Sequence, residues 1–226
     1  MTGVSDGREE PLLITPEMLA GAGAPRDFER GMRMLPPLTL LLIACNVAMF
    51  AWEIASGALG DKDTIVAAGA LTRDGVLAGE WWRLISAPFL HASPEHLLGN
   101  CLVLYIVGLA CEHALGFAHT AGVYFASALA GGGLSIAFRP GPSVGASGAI
   151  FGVLAAVVVV LVRYRRQFYV RDKRIAVVLA AWAAWQVLTG LASPFIDNFA
   201  HLGGIAGGTL VTLSMKPRLL ESGTPG

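Results

Sequence analysis

Ser147 lies in Gly145-Ala146-Ser147-Gly148 at the start of one apolar stretch, and His201 lies in Asn198-Phe199-Ala200-His201 at the start of another. A hydroxyl and an imidazole at membrane depth are costly and point to a functional site. A serine hydroxyl becomes a useful nucleophile when a neighbouring base removes its proton, and a neutral imidazole is suited to that task. Acyl transfer also needs donors aimed at the developing oxyanion. The backbone N–H of Ser147, at a helix N-terminus, is one such donor. His96 and Asn100, at i and i+4 on one helix face, offer two more from side chains. Asp197 directly precedes Asn198 and is expected at the outer rim, so no aspartate is placed to complete a triad. The residues therefore point to a Ser147–His201 dyad, with the imidazole oriented by packing or by a backbone contact. His91 is expected to brace the preceding loop, and His113 and His119 to be ordinary boundary residues.

Positioning these groups falls to a chain of 226 residues, 54% hydrophobic and only 14% charged. Soluble domains carry about 25% charged residues. Together with repeated apolar stretches of about 20 residues, this deficit predicts an all-α, polytopic membrane protein. The formal net charge is +0, so bulk charge gives no reason to expect a nucleic-acid partner. Cys45, Cys101 and Cys111 are odd in number and lack CxxC spacing, which argues against a disulfide framework and against a zinc site. They are expected to act as small buried hydrophobes. Residues 1–35 are polar and mixed in charge and are expected to form a flexible cytosolic tail, with a short amphipathic helix at 27–34. No apolar run begins near Met1, and the acidic residues do not suit a transit peptide. Residues 36–216 are expected to form the membrane domain and 217–226 a cytosolic tail.

Six spans are predicted, at 37–55, 95–111, 117–138, 147–162, 175–191 and 199–215. Arg163, Arg165, Arg166, Arg171, Lys173 and Arg174 crowd the loop between spans four and five against one acid, Asp172. The positive-inside rule makes that loop cytosolic, and places both termini with it. The outer loops are then 56–94, 139–146 and 192–198. The first, containing Glu80-Trp81-Trp82-Arg83, is rich enough in apolar residues to be structured rather than a tether, with tryptophan and arginine suited to the headgroup region. Ser147 stands sixteen residues before Arg163 and His201 fifteen before Lys216. At about 1.5 Å per residue, both lie roughly 22–24 Å above the inner boundary, a few Å below the outer surface of a core about 30 Å thick. His96, sixteen residues before Glu112, joins that layer if Glu112 marks the inner end of span two, and Asn100 sits about one turn deeper.

A fourth span that begins at Ser147 requires non-helical chain descending to it. Gly131-Gly132-Gly133 and Arg139-Pro140-Gly141-Pro142 are the available breakers, and a cavity open to the outside is expected there. Gly148 and Gly152 on span four have GxxxG spacing, repeated by Gly203–Gly207 and Gly204–Gly208 on span six. Gly204 and Gly208 share the helix face of His201, so close packing on that face would carry His201 toward Ser147.

With these pieces in order, the sequence resembles the rhomboid family of intramembrane serine proteases. The resemblance rests on Trp82-Arg83, His91, His96-Leu97-Leu98-Gly99-Asn100, Glu112, Gly145-Ala146-Ser147-Gly148-Ala149-Ile150-Phe151-Gly152, and Asn198-Phe199-Ala200-His201-Leu202-Gly203-Gly204 with Gly208. It implies a rhomboid-like bundle of six transmembrane helices, with Ser147 as nucleophile, His201 as general base, and His96, Asn100 and the Ser147 N–H as oxyanion hole. Gly145 would keep the turn open for substrate backbone, with Gly148, Asn198 and His91 shaping the site and Gly152, Gly204 and Gly208 packing the helices. Implied substrates are single-span membrane proteins, cleaved near the outer end of an easily unwound helix, usually after a small residue. Span five, with Trp182 and Trp185, would resemble the family's lateral gate. No metal, nucleotide or other cofactor is implied, and the expected setting is a bacterial plasma membrane with the site opening outward. Ala87 departs from members that carry another histidine there, and the tail is too short for the folded cytosolic domain of some relatives. One alternative is a catalytically inactive relative that escorts membrane clients; loss of Ser147 or His201 would signal it, and both are present. A transporter would carry inverted repeats and acidic ion-coupling residues inside the spans; no convincing repeat occurs, and Glu53 and Glu112 lie near span ends.

Overall fold

The computed structural model describes residues 25–171, 173–193 and 196–221. Residues 1–24 of the expected tail, and 222–226, lie outside the described residues. The described chain opens with a two-residue strand, β1 (Arg26–Asp27), in place of the helix expected at 27–34. Tertiary contacts override the weak helix preference of so short a segment. Arg26 N–H donates to Gln167 O at 2.8 Å and Phe28 N–H to Tyr169 O at 2.9 Å, pairing β1 in parallel with β2 (Phe168–Tyr169). Phe28 is buried edge-on against the rings of His113 and Phe168. His113 is thus a buried residue rather than a boundary one; its Nε2–H donates to Phe28 O at 2.8 Å.

The first long helix, α1 (Pro37–Ser56), begins with proline at N1 and without a side-chain cap of its own. Glu112 supplies the cap from another helix. Its carboxylate accepts from Leu38 N–H at 3.1 Å, Thr39 N–H at 3.0 Å and Thr39 Oγ1–H at 3.0 Å. These are buried, charge-assisted bonds at a helix N-terminus. Glu112→Ala is therefore expected to destabilise the fold by about 2–3 kcal/mol, read as a lowered unfolding midpoint in detergent.

The long loop after α1 is structured, as its composition predicts. It contains α2 (Lys62–Ala67), α3 (Arg73–Leu77), α4 (Arg83–Ser86) and a 3₁₀ turn at Ala87–Phe89. Arg83 is turned into the protein. It is buried, donates through Nη1 to Val66 O at 2.6 Å and Ala70 O at 2.9 Å, and pairs through Nε with Glu80 at 2.6 Å. Trp81 and Trp82 remain exposed around it.

The chain then forms α5 (Pro94–Leu115), α6 (Phe117–Phe138), α7 (Ser147–Arg163), α8 (Lys173–Ala192), α9 (Asn198–Leu213) and α10 (Arg218–Glu221). By length and composition alone, α1, α5 and α6 can cross a membrane, while α7 and the 177–192 stretch of α8 are shorter apolar helices. Helix α5 runs one turn beyond the predicted end, because Glu112, His113, Ala114 and Leu115 are buried in the bundle. Gly116 alone links it to α6, with φ +82. The triple glycine does not break the chain; Gly131-Gly132-Gly133 lie within the continuous α6. Only Arg139-Pro140-Gly141-Pro142 interrupts it, and the non-helical segment that follows is held by the long loop after α1. Leu71 and Ser143 exchange two backbone bonds of 2.9 Å, and Gly145 N–H donates to Ala87 O at 2.9 Å.

Helix α9 is central and packs most extensively on α6 and α7, whereas α8, among the described residues, engages the bundle least of the long helices. Two glycine faces on α9 make this possible. A Cβ at Gly203 would fall 2.5 Å from Ala130 O of α6, and one at Gly204 would collide with Gly148 O of α7. Gly208 stands in the same way against Gly152 O. Backbones can approach this closely only without side chains.

Candidate active site

Ala146 offers no side-chain cap to α7, and the helical ladder begins with Ile150 N–H donating to Ala146 O at 3.0 Å. The N–H groups of Ser147, Gly148 and Ala149 therefore fall outside that ladder, at the positive end of the helix. Gly145, two residues before the serine, has φ +116, and a Cβ there would lie 2.6 Å from His96 Cε1, 2.8 Å from His96 Nε2 and 3.5 Å from Asn100 Nδ2. That glycine is what lets the turn face both side chains of α5.

Helix α9 brings the imidazole from the other side. His201 is 2% exposed, and its Nε2 lies 2.9 Å from Ser147 Oγ. Phe151, one turn after Ser147, stacks on the His201 ring with centroids 4.3 Å apart and 22° between planes. Trp182 of α8 stacks on the far face of that arrangement, 5.0 Å from Phe151. His201 Nδ1 is buried without a hydrogen-bond partner among the described residues. Asp197 does not bond the imidazole. It is buried as the N-cap of α9, accepting from Ala200 N–H at 3.0 Å and Ser135 Oγ–H at 2.5 Å, with Arg139 Nη1 at 3.5 Å.

Behind Asn100 stands His91, which is fully buried. Asn100 Nδ2 lies 3.1 Å from His91 Nε2, and His91 Nδ1 lies 3.2 Å from Phe89 O. An amide NH₂ only donates and a carbonyl only accepts. His91 therefore carries its proton on Nδ1, and the second N–H of Asn100 is left for another acceptor. His91 also meets the His96 ring edge-on at 5.2 Å. Asn198, expected to shape the site, ties α8 to α9. Its Nδ2 donates to Val187 O at 3.0 Å, and its side chain fills the space over Gly190. A small recess lies beside the serine turn, lined by Gly145, Gly148, Ala149, Gly132, Ala87 and Ala200 among others.

Reasoning from sequence gave Phe151 and Glu53 no role in the site and placed Trp182 only in the gate, not in a stack beside the imidazole. The four-residue spacing from Ser147 to Phe151 was an available signal for the first. Nothing local could have paired Trp182 or Glu53 with the site. Among the described residues, no group of three or more His, Cys, Asp or Glu side chains is arranged to hold a metal ion.

The Rhomboid domain profile matches residues 78–218. The chain is 36% identical over 173 residues to Rhomboid protease GluP of Bacillus subtilis, covering 76% of this chain and 34% of that protein. It is 30% identical over 207 residues to Rhomboid protease AarA of Providencia stuartii, covering 78% and 72% of the two chains. A putative rhomboid protease of Bacillus subtilis, YdcA, is 32% identical over 190 residues, covering 82% and 92%. The chain thus belongs to the rhomboid family and is an integral membrane protein. It spans about a third of the length of GluP.

Proposed function

We propose that this chain is a serine endopeptidase that cleaves peptide bonds in or near transmembrane segments, using Ser147 and His201 as a dyad. The observation that carries the reading is the 2.9 Å approach of Ser147 Oγ to His201 Nε2, made by side chains from two separate helices of a membrane bundle. In this mechanism His201 Nε2 accepts the Ser147 proton as Oγ bonds to the scissile carbonyl carbon. The carbonyl oxygen becomes an oxyanion facing the Ser147 N–H, Asn100 Nδ2–H and His96. Collapse breaks the C–N bond, and the imidazolium returns its proton to the departing amine. Water, activated by the same imidazole, then hydrolyses the acyl-enzyme. With no hydrogen-bond partner on Nδ1 among the described residues, the face of Phe151, with ring centroids 4.3 Å apart, stabilises the imidazolium.

Substrates on this reading are single-span membrane proteins cleaved after a small residue near the outer end of their helix. The glycine- and alanine-lined recess beside Ser147 supports the size preference. Exposed Arg165 and Arg166 in the loop after α7 support a cytosolic position for that loop, with the termini on the same side and the site opening outward. The setting proposed is a bacterial plasma membrane. Residues 36–216 form the membrane domain on this reading, with tails before and after it, although the packed segment from Arg26 to Phe28 extends the folded part upstream.

A fluorophosphonate probe tests the nucleophile directly. Wild-type protein in detergent should be labelled and Ser147→Ala should not; labelling that persists in the variant would place the nucleophile elsewhere. Asn100→Ala is expected to lower kcat by about 10²–10³, the cost of one oxyanion donor, with KM little changed. An unchanged kcat against a single-span reporter substrate in liposomes would reduce Asn100 to a packing role.

A further inference from the structure

Glu53 is a buried acid that the proposed chemistry does not use. It sits in the last turns of α1 between exposed Trp52 and Ile54, yet is itself 0% exposed. Burying a carboxylate demands compensation. The compensation comes from the long loop after α1, where His91 N–H donates to Oε1 at 3.1 Å and to Oε2 at 3.2 Å. The same residue, His91, presents Nε2 to Asn100 Nδ2. Glu53 therefore anchors the backbone of the residue whose ring orients the Asn100 amide.

We propose that Glu53 is a positioning residue for the oxyanion hole, acting through His91 on Asn100. The path is short and rigid. Glu53 holds the His91 backbone, and the Phe89 carbonyl fixes which ring nitrogen of His91 carries the proton. The remaining lone pair on Nε2 then holds one Asn100 N–H and leaves the other directed at the turn that carries Gly145. With the anchor removed, His91 shifts and the amide rotates, so a donor preset for the transition state must be ordered during the reaction. Such a loss falls on kcat rather than on substrate binding. The role requires an acceptor at the reach of a glutamate and does not require negative charge.

This inference rests on the dyad reading, and the experiment separates the two. Glu53→Met, which keeps length but no acceptor, is expected to lower kcat about tenfold with KM unchanged, a partial loss compared with deleting the donor outright. Glu53→Gln, which keeps one acceptor at the same reach, should stay within about threefold of wild type, whereas the shorter Glu53→Asp should behave like Glu53→Met. In an Asn100→Ala background, Glu53→Met should have no further effect, because the group it positions is gone. A merely structural role would instead multiply the two losses. Equal defects in Glu53→Gln and Glu53→Met, or an undiminished effect of Glu53→Met in Asn100→Ala, would overturn the proposal. If Glu53→Met does not fold, the ranking of Glu53→Gln above Glu53→Asp decides it. Ser147→Ala, assayed in parallel, must be inactive; if it cleaves, the dyad reading fails. If it is inactive while Glu53→Met matches wild type, only the role of Glu53 fails.

Discussion

Ser147→Ala is expected to lower cleavage of a single-span reporter substrate by at least about 10⁴-fold in kcat, and His201→Ala by a similar factor. The size follows from what each group does. Removing Oγ leaves nothing to form the acyl-enzyme. Removing the imidazole takes away the base bonded to the Ser147 hydroxyl, and among the described residues no carboxylate is bonded to Oγ to replace it. The two residues act as one unit, so the double variant should be no worse than either single one. Substrate affinity should be retained, since the oxyanion donors and the recess beside Gly148 remain. Ser147→Ala leaves the start of α7 intact and should unfold at the wild-type midpoint. His201→Ala removes the ring that stacks on Phe151 and should unfold slightly earlier. Cleavage at the wild-type rate by either variant, in liposomes with folding verified, would refute the dyad.

Gly204→Ala should abolish activity by a different route. Its new methyl group would fall on Gly148 O, a backbone atom one residue from the serine. Backbone cannot rotate aside as a side chain can, so α9 must move away from α7, taking His201 with it. Overpacking of this kind costs about 3 kcal/mol or more where the neighbour cannot yield. The expected result is a sharply lowered unfolding midpoint and loss of fluorophosphonate labelling together. Gly133→Ala is the matched control. Nothing lies within 4 Å of a Cβ there, and alanine favours a helix over glycine by about 0.5–1 kcal/mol, so stability should be unchanged or slightly raised. A Gly204→Ala protein as stable and as active as Gly133→Ala would show that α7 and α9 do not depend on this contact.

The contrast between these glycines shows where sequence reading stopped. Gly131-Gly132-Gly133 had the composition of a breaker, yet it lies within α6. There a Cβ at Gly131 would meet Ala200 O at 2.6 Å, and α9 packs on that face. Glycine is compatible both with a bend and with close packing, and only the neighbouring helix distinguishes the two. Phe28 shows the same limit at the other end of the chain. Its segment is amphipathic enough to suggest a helix, but a partner 140 residues away, Phe168, and the ring of His113 draw it into a strand and turn.

The helical membrane bundle was legible because hydrophobic length is a local property, imposed by a solvent that tolerates few alternatives. A common height for Ser147 and His201 could be inferred in the same way, since rise per residue is constant along a helix, and their side chains are in contact at 2.9 Å. Depth is one coordinate of three. Which faces meet, and so whether two residues of equal height touch, is settled by long-range packing. The meshing of Gly148 and Gly152 with Gly204 and Gly208, the Phe151 and Trp182 stack on His201, and the line from Glu53 through His91 to Asn100 all join residues far apart in the chain. Their pairing energies exist only once the helices are assembled, so the GxxxG spacing announced close-packing faces without their atomic partners, and nothing local announced Trp182 or Glu53.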